Sequence, residues 1–277
     1  MKDLIFGTAG IPISTEDRNT LNGIERVRQL GLGAMELEFV HSVNISEELA
    51  PHVKKAMEKH SVVLTCHGQY YMNLNSKEKA KQKATVERIL KAARIANMCG
   101  AWSLCFHAAF YMGMEKEAVY NTVKGALKDI SKTLRDEGNK IWIRPETTGK
   151  GTQFGDLDEL LRLSEDVEGV MPCVDFSHFH ARTNGKYNTY DEFSSIFSDI
   201  EKRLGKQALQ EMHMHLAGIA YGEKGEKHHL NLKESDLKYK ELAKALRDFK
   251  VRGVLISESP NIEEDALMMK KTFGTNF

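Results

Sequence analysis

The chain has 277 residues, enough for a large core that needs no disulfide or metal staple, and its formal charge is zero with a pI near 7.2. That balance gives no global basic field toward nucleic acid or membrane, so any phosphate recognition must be local. Cys66, Cys99, Cys105 and Cys173 form no CxxC pair and read as reduced thiols. No apolar run approaches a membrane span and no leader precedes Lys2, so the expectation is a soluble cytoplasmic protein.

In chain order, Leu4 to Gly7 reads as a short strand, and Thr20 to Leu30 carries helical spacing that Gly31 stops. Ala34 to Phe39 alternates Met35, Leu37 and Phe39 against Glu36 and Glu38, which is a strand signal. Ser46 opens a helix with acids in its first turn. Val62 to His67 is a strand, Ser76 to Cys99 an amphipathic helix, and Ser103 to His107 a strand. The lysines Lys77, Lys79, Lys81 and Lys83 are read as a solvated face. Glu115 to Arg135 is helical, Lys140 to Pro145 a strand, Asp156 to Asp166 helical, and Val170 to Val174 a strand. Tyr190 to Leu204 is helical, Leu209 to Leu216 a strand, and residues 218–229 a glycine- and charge-rich loop. Leu237 to Phe249, Gly253 to Ser257 and Glu263 to Thr272 follow as helix, strand and helix.

Strand and helix alternate eight times, at roughly 35 residues per unit, and no linker divides them. The expected class is α/β, a single-domain (β/α)8 TIM barrel over residues 1–277. The sequence contains neither GxGxxG nor a Walker loop, so no nucleotide cofactor is expected. Chemistry gathers where the strands end. His67 follows the third strand, His107 the fourth, Glu146 the fifth, Asp175 and His178 the sixth, His215 the seventh and Glu258 the eighth. In a barrel these ends meet at one mouth. Buried carboxylates beside imidazoles are costly without a cation, so a divalent metal is expected. Mixed imidazole and carboxylate donors suit Zn2+, Mn2+ or Fe2+. About three protein ligands serve one catalytic zinc, so this inventory implies about two or three ions. Such ions can clamp a phosphoryl group or polarise a sugar's neighbouring oxygens, and spacing alone does not choose between them.

The strand-end motifs carry a resemblance. Pro145-Glu-Thr-Thr-Gly-Lys-Gly-Thr-Gln-Phe-Gly155, Asp175-Phe-Ser-His178, Met214-His-Leu216, Glu226-Lys-His-His229 and Ser257-Glu-Ser-Pro260 are similar to segments of endonuclease IV. That family comprises metal-dependent abasic-site endonucleases of the xylose-isomerase-like barrel superfamily. The resemblance implies a zinc-dependent hydrolase of base excision repair with about three Zn2+ per chain, Mn2+ being an alternative. His67, His107 and Glu146 would hold one ion. Glu146 would bridge to a second, held by Asp175, His215 and Glu258, and His178, Glu226 and His228 would hold the third. Glu146 and Glu258 are the implied catalytic residues, with a metal-bound hydroxide cleaving the backbone 5′ to an abasic site. DNA with an abasic site or a blocked 3′ end is the implied partner, and a monomer is expected.

Departures accompany the match. Glu226 stands where the family has Asp, and Ala217-Gly218 where it has Asn-Asp. Val40-His-Ser-Val-Asn44 replaces a basic, aromatic DNA-penetrating loop, whereas Tyr70 matches a DNA-contacting tyrosine. Arg182 and Lys186 are candidate phosphate contacts as well as ordinary loop residues. The alternative is a sugar isomerase or epimerase with one or two metals at Glu146, Asp175, His215 and Glu258, in which case His107 and the Glu226/His228 pair would have no ligand role. His180 and His213 are read as supporting or core histidines, His229 as a surface or substrate-facing residue, and Cys105 and Cys173 as small core residues.

Overall fold

The computed structural model describes residues 1–275. Eight strands share one sheet: β1 (Leu4–Ala9), β2 (Ala34–Glu38), β3 (Val63–His67), β4 (Ser103–Phe106), β6 (Trp142–Pro145), β8 (Cys173–Asp175), β9 (Met212–Leu216) and β12 (Gly253–Ser257). Their order is β6-β4-β3-β2-β1-β12-β9-β8, with helices between them in sequence, which is the expected (β/α)8 class. Two short antiparallel pairs accompany the sheet, β5 (Ala109–Phe110) with β7 (Gln153–Phe154), and β10 (Gly218–Gly222) with β11 (Gly225–Leu230). The helices are α1 (Thr20–Gln29), α2 (Ala50–His60), α3 (Lys79–Met98), α4 (Lys116–Asp136), α5 (Leu157–Asp166), α6 (Phe176–Arg182), α7 (Tyr190–Leu204), α8 (Tyr239–Asp248) and α9 (Glu263–Gly274).

The chain forms two compact units. One comprises Met1–Met35, Gly149–Gly151 and Val174–Phe277. In it β12 pairs in parallel with both β1 and β9, with Gly253 opposite Leu4 and Met212. Gly253 sits at φ +119°, and a Cβ there would meet the Met212 carbonyl oxygen at 2.0 Å, so only glycine lets these strands start side by side. Phe176 packs against Phe193 and Phe197, and Phe197 against Phe249, fastening α6, α7 and the end of α8. Burying such a ring stabilises by about 1.5–3 kcal/mol. Thr189 and Glu192 cap α7 reciprocally.

The other unit comprises Glu36–Thr148 and Thr152–Cys173. Here β4 pairs in parallel with β3 and β6, and Ile143 of β6 and the following Glu146 bridge onward to Val170 and Cys173. Arg144 is fully buried between Trp102 and Trp142, 4.6 and 5.7 Å from their ring centres, and donates Nη1–H to the Pro172 carbonyl.

Two expectations are corrected. Residues 218–229 are a hairpin: Gly222 faces Gly225 across a two-residue turn, so the glycines there make a turn between paired strands. The helix after β2 starts at Ala50, with Pro51 in its first turn; Ser46 instead accepts from the Leu49 N–H in the preceding turn. In β2 the alternation does not mean exposure, since Glu36 is fully buried with Met35 and Leu37. A parallel strand covered on both faces buries its polar positions too.

Candidate metal centre

In the second unit, His67 ends β3, His107 follows β4 and Glu146 follows β6. Pairing of those strands brings the side chains together: His67 Nε2 lies 3.2 Å and His107 Nε2 3.5 Å from Glu146 Oε2. Glu146 N–H donates to the Phe106 carbonyl, which fixes the carboxylate's root to β4. Behind it, Gly155 (φ +127°) approaches so closely that a Cβ would meet the Glu146 carbonyl oxygen at 2.6 Å. The last glycine of the 145–155 motif is thereby accounted for.

Donor chemistry shows that these residues fit a divalent cation. His67 Nδ1 is 2.7 Å from the Gly68 carbonyl oxygen, which only accepts, so Nδ1 carries the proton. Nε2 is thereby directed at the Glu146 carboxylate oxygen, and once deprotonated it offers a lone pair to a cation shared with that oxygen. A bound cation would take both atoms as ligands and displace the proton between them. Cys105 Sγ is also within 4.8 Å of the His67 and Glu146 donor atoms. Its thiol is directed to Glu36 Oε2 and the Cys66 carbonyl, consistent with a core residue. Tyr70 is exposed, with its ring centre 5.7 Å from that of His67.

In the first unit, Asp175 is the N-cap of α6, so the Asp-Phe-Ser-His motif is a strand end turning straight into a short helix. Asp175 Oδ1 accepts from His178 N–H at 2.7 Å, and its Oδ2 lies 3.5 Å from His178 Nδ1. His178 Nε2 is 3.7 Å from Glu226 Oε2 and 3.4 Å from His229 Nε2. His215 Nδ1 lies 3.4 Å from Glu258 Oε1. Donor atoms of Asp175, His178, His229 and Glu258 all fall within 4.8 Å of one another. His229 Nδ1 faces the Glu258 carbonyl oxygen, which again leaves Nε2 as a lone pair turned toward the cluster. Burial, with the neighbouring His178, pushes the His229 pKa down and keeps the ring neutral, the form that binds metal.

His228 does not lie where the resemblance puts it: its side chain is exposed, and His229 stands beside His178. The cause is a register shift between Ala220 and Tyr221. Tyr221 opposes Glu226 while Ala220 opposes His228, so Lys227 is an extra residue. The bulge turns Glu226 and His229 to one face and His228 to the other. His229→Ala is expected to lower the metal content by about one ion per chain, and His228→Ala to leave it unchanged. Elemental analysis of the purified variants checks this, and the reverse pattern would restore His228 to the ligand set.

Supporting residues have visible tasks. Gly149 lets a backbone strap lie on the hairpin: Glu226 N–H donates to the Gly149 carbonyl, and a Cβ on Gly149 would meet Glu226 Cβ at 2.6 Å. Arg182, a candidate phosphate contact, donates Nη1–H to the Lys150 carbonyl of the same strap. Ser177 Oγ clasps Ala217 N–H and C=O at the end of β9. His180 lies between the Lys186 carbonyl and Asp236, outside these clusters, and the His213 ring packs edge-on against His215 at 5.0 Å. Glu36 and Arg144 carry no mark in the sequence that separates them from ordinary strand residues.

The sequence model of a family described as xylose isomerase-like TIM barrel matches residues 24–272. An uncharacterized protein of Methanocaldococcus jannaschii is 43% identical over 271 residues, covering 98% of this chain and 97% of its own. A probable endonuclease 4 of Mycoplasma pneumoniae is 26% identical over 217 residues, covering 74% and 72%. Among solved structures, endonuclease IV from Thermus thermophilus has a TM-score of 0.71 at 18% identity, covering 96% of this chain and 97% of that one. A D-tagatose 3-epimerase-like protein has the same TM-score and identity, covering 95% and 94%. Those two likenesses show the fold alone. With the family model spanning most of its length, the chain belongs to the xylose isomerase-like TIM barrel family.

Proposed function

We propose that this protein is a zinc-dependent phosphodiesterase resembling endonuclease IV, which hydrolyses the DNA backbone 5′ to abasic sites and acts on blocked 3′ ends. One observation carries this reading: beyond the four residues a sugar isomerase would use, the chain supplies His67 and His107 around Glu146, and Glu226 and His229 around His178. An isomerase working with one or two ions has no need of so many donors. In support, the probable endonuclease 4 above is related in sequence over 74% of this chain.

When bound, zinc supplies hydroxide at neutral pH and neutralises charge developing on a phosphodiester. The chain's own part is positional. Carbonyl acceptors at Gly68 and Glu258 lock His67 and His229 with Nε2 available. Glu146 and Glu258 are the proposed catalytic carboxylates, with His67, His107, Asp175, His178, His215, Glu226 and His229 as the remaining ligands. Tyr70 is the proposed substrate contact, a reading supported by its exposure beside His67.

A ketose epimerase is the second reading, favoured by residues 40–44, which carry neither Arg nor Trp. Metal stoichiometry separates the two. About three ions per chain, with zinc dominant, are expected by elemental analysis, and chelation should abolish an activity that added zinc restores. A stoichiometry of one would contradict the trinuclear reading.

A further inference from the structure

Seven large apolar side chains are exposed among the described residues, and five stand on the two loops that follow His67 and His107: Tyr70 (53%), Tyr71 (73%), Phe110 (37%), Met112 (45%) and Met114 (39%). These loops are stitched together. Asn73 Oδ1 accepts from Phe110 N–H while its amide lies 3.4 Å from Met112 Sδ; Asn75 donates to the Phe110 carbonyl and sits 3.7 Å from Met114 Sδ. Leu74 N–H donates to the Ala108 carbonyl. The platform is thus preformed, and residues 68–76 and 108–114 contain no charged side chain.

Charge begins where the platform ends. Residues 77–83 carry Lys77, Lys79, Lys81 and Lys83 against the single Glu78, in a chain whose net charge is zero. Glu78 pairs with Lys81, leaving an excess of positive charge on Lys77, Lys79 and Lys83. Helix α3 is bound to the platform by Gln82, which donates to the Leu74 carbonyl, and by Thr85 Oγ1, which accepts from Asn73 N–H. Lys79 stands one turn before Gln82, on the same face.

A neutral surface of rings and thioethers beside lysines fits the faces of nucleobases with their phosphates alongside. An intact duplex hides those faces and presents a dense row of phosphates, which this neutral platform does not match. A free ketose would leave the lysine row without a role. We propose that Tyr71, Phe110, Met112 and Met114, with Lys79 and Lys83 beside them, seat unpaired bases, so that this protein takes its nucleic acid single-stranded or locally opened. The inference rests on the nucleic-acid phosphodiesterase reading and sharpens it.

The test is fluorescence anisotropy of the full-length metallated protein with labelled oligothymidylate of about a dozen nucleotides and with a blunt duplex of equal length. Single strand is expected to bind at least about tenfold tighter than duplex. The double variant Tyr71→Ala/Phe110→Ala should weaken single-strand binding by at least about fivefold per ring removed, without weakening duplex binding. Lys79→Glu/Lys83→Glu should flatten its salt dependence. Equal or tighter duplex binding, or indifference to the ring variants, would overturn the proposal. So would sedimentation showing a dimer that the ring variants dissolve, since the platform would then seat a second copy of this chain. Incision is scored separately. Selective single-strand binding without incision of any nucleic acid would sustain the platform and defeat the hydrolase reading. Incision with duplex preference would do the reverse.

Discussion

Glu146→Gln is expected to abolish turnover while leaving the fold intact. The side chain is buried, with two imidazole nitrogens within 3.5 Å of one carboxylate oxygen. Glutamine keeps the shape and removes the charge that a cation shared with His67 and His107 requires. The loss should exceed the roughly 10- to 100-fold that removal of a supporting contact typically costs. An amide keeps a polar partner for His67 Nε2 at the same position, so the metal-free variant is expected to unfold cooperatively, as the parent does. Activity, metal content and metal-free melting temperature, measured together, separate a lost ligand from a damaged fold. Near-normal turnover at full metal content would remove Glu146 from the chemistry.

Gly149→Ala is expected to release metal from the His178, Glu226 and His229 set although residue 149 contributes no donor atom. An added Cβ would sit 2.5 Å from Glu226 Oε2 and 2.6 Å from its Cβ. Swinging the carboxylate aside relieves only the first clash. The second lies at the root of the side chain and forces the hairpin or the strap to move. Metal affinity of that set should fall by about 10- to 100-fold, and activity with it. Gly151→Ala, two residues along the same strap, is the matched control: nothing lies within 4 Å of its added Cβ. Zinc titrations of the two variants should therefore differ sharply. Equal behaviour would mean that the strap does not seat Glu226.

These contrasts show where the sequence was legible. Strand and helix positions could be read because apolar periodicity and capping residues are local. Helix α7 and strand β12 fall on the predicted residues, and Asp156 and Glu159 cap α5 reciprocally. His67, His107, Glu146, Asp175, His178, His215 and Glu258 could be picked out because each stands at or just past the C-terminal end of a strand of one fold class. What was illegible depends on single-residue register. A plain strand would put Glu226 and His228 on one face, and only the bulge at Lys227 hands the position to His229. Glu36 escaped because alternation in β2 does not tell a buried polar position from a solvated one, although one face of a barrel strand lies against helices and the other against the packed interior. Arg144 escaped because its tryptophan partners lie on its own strand end and on the segment before β4, a pairing that no local pattern encodes.

The most direct test of the central claim is a mapped incision assay on an oligonucleotide carrying one tetrahydrofuran abasic analogue, presented both single-stranded and in duplex. Zinc-loaded protein is expected to cut immediately 5′ to the analogue and leave a 3′-hydroxyl; EDTA should stop the reaction and zinc restore it. Intact oligonucleotide in the presence of fully metallated protein, together with turnover of a ketose by the same preparation, would contradict the account.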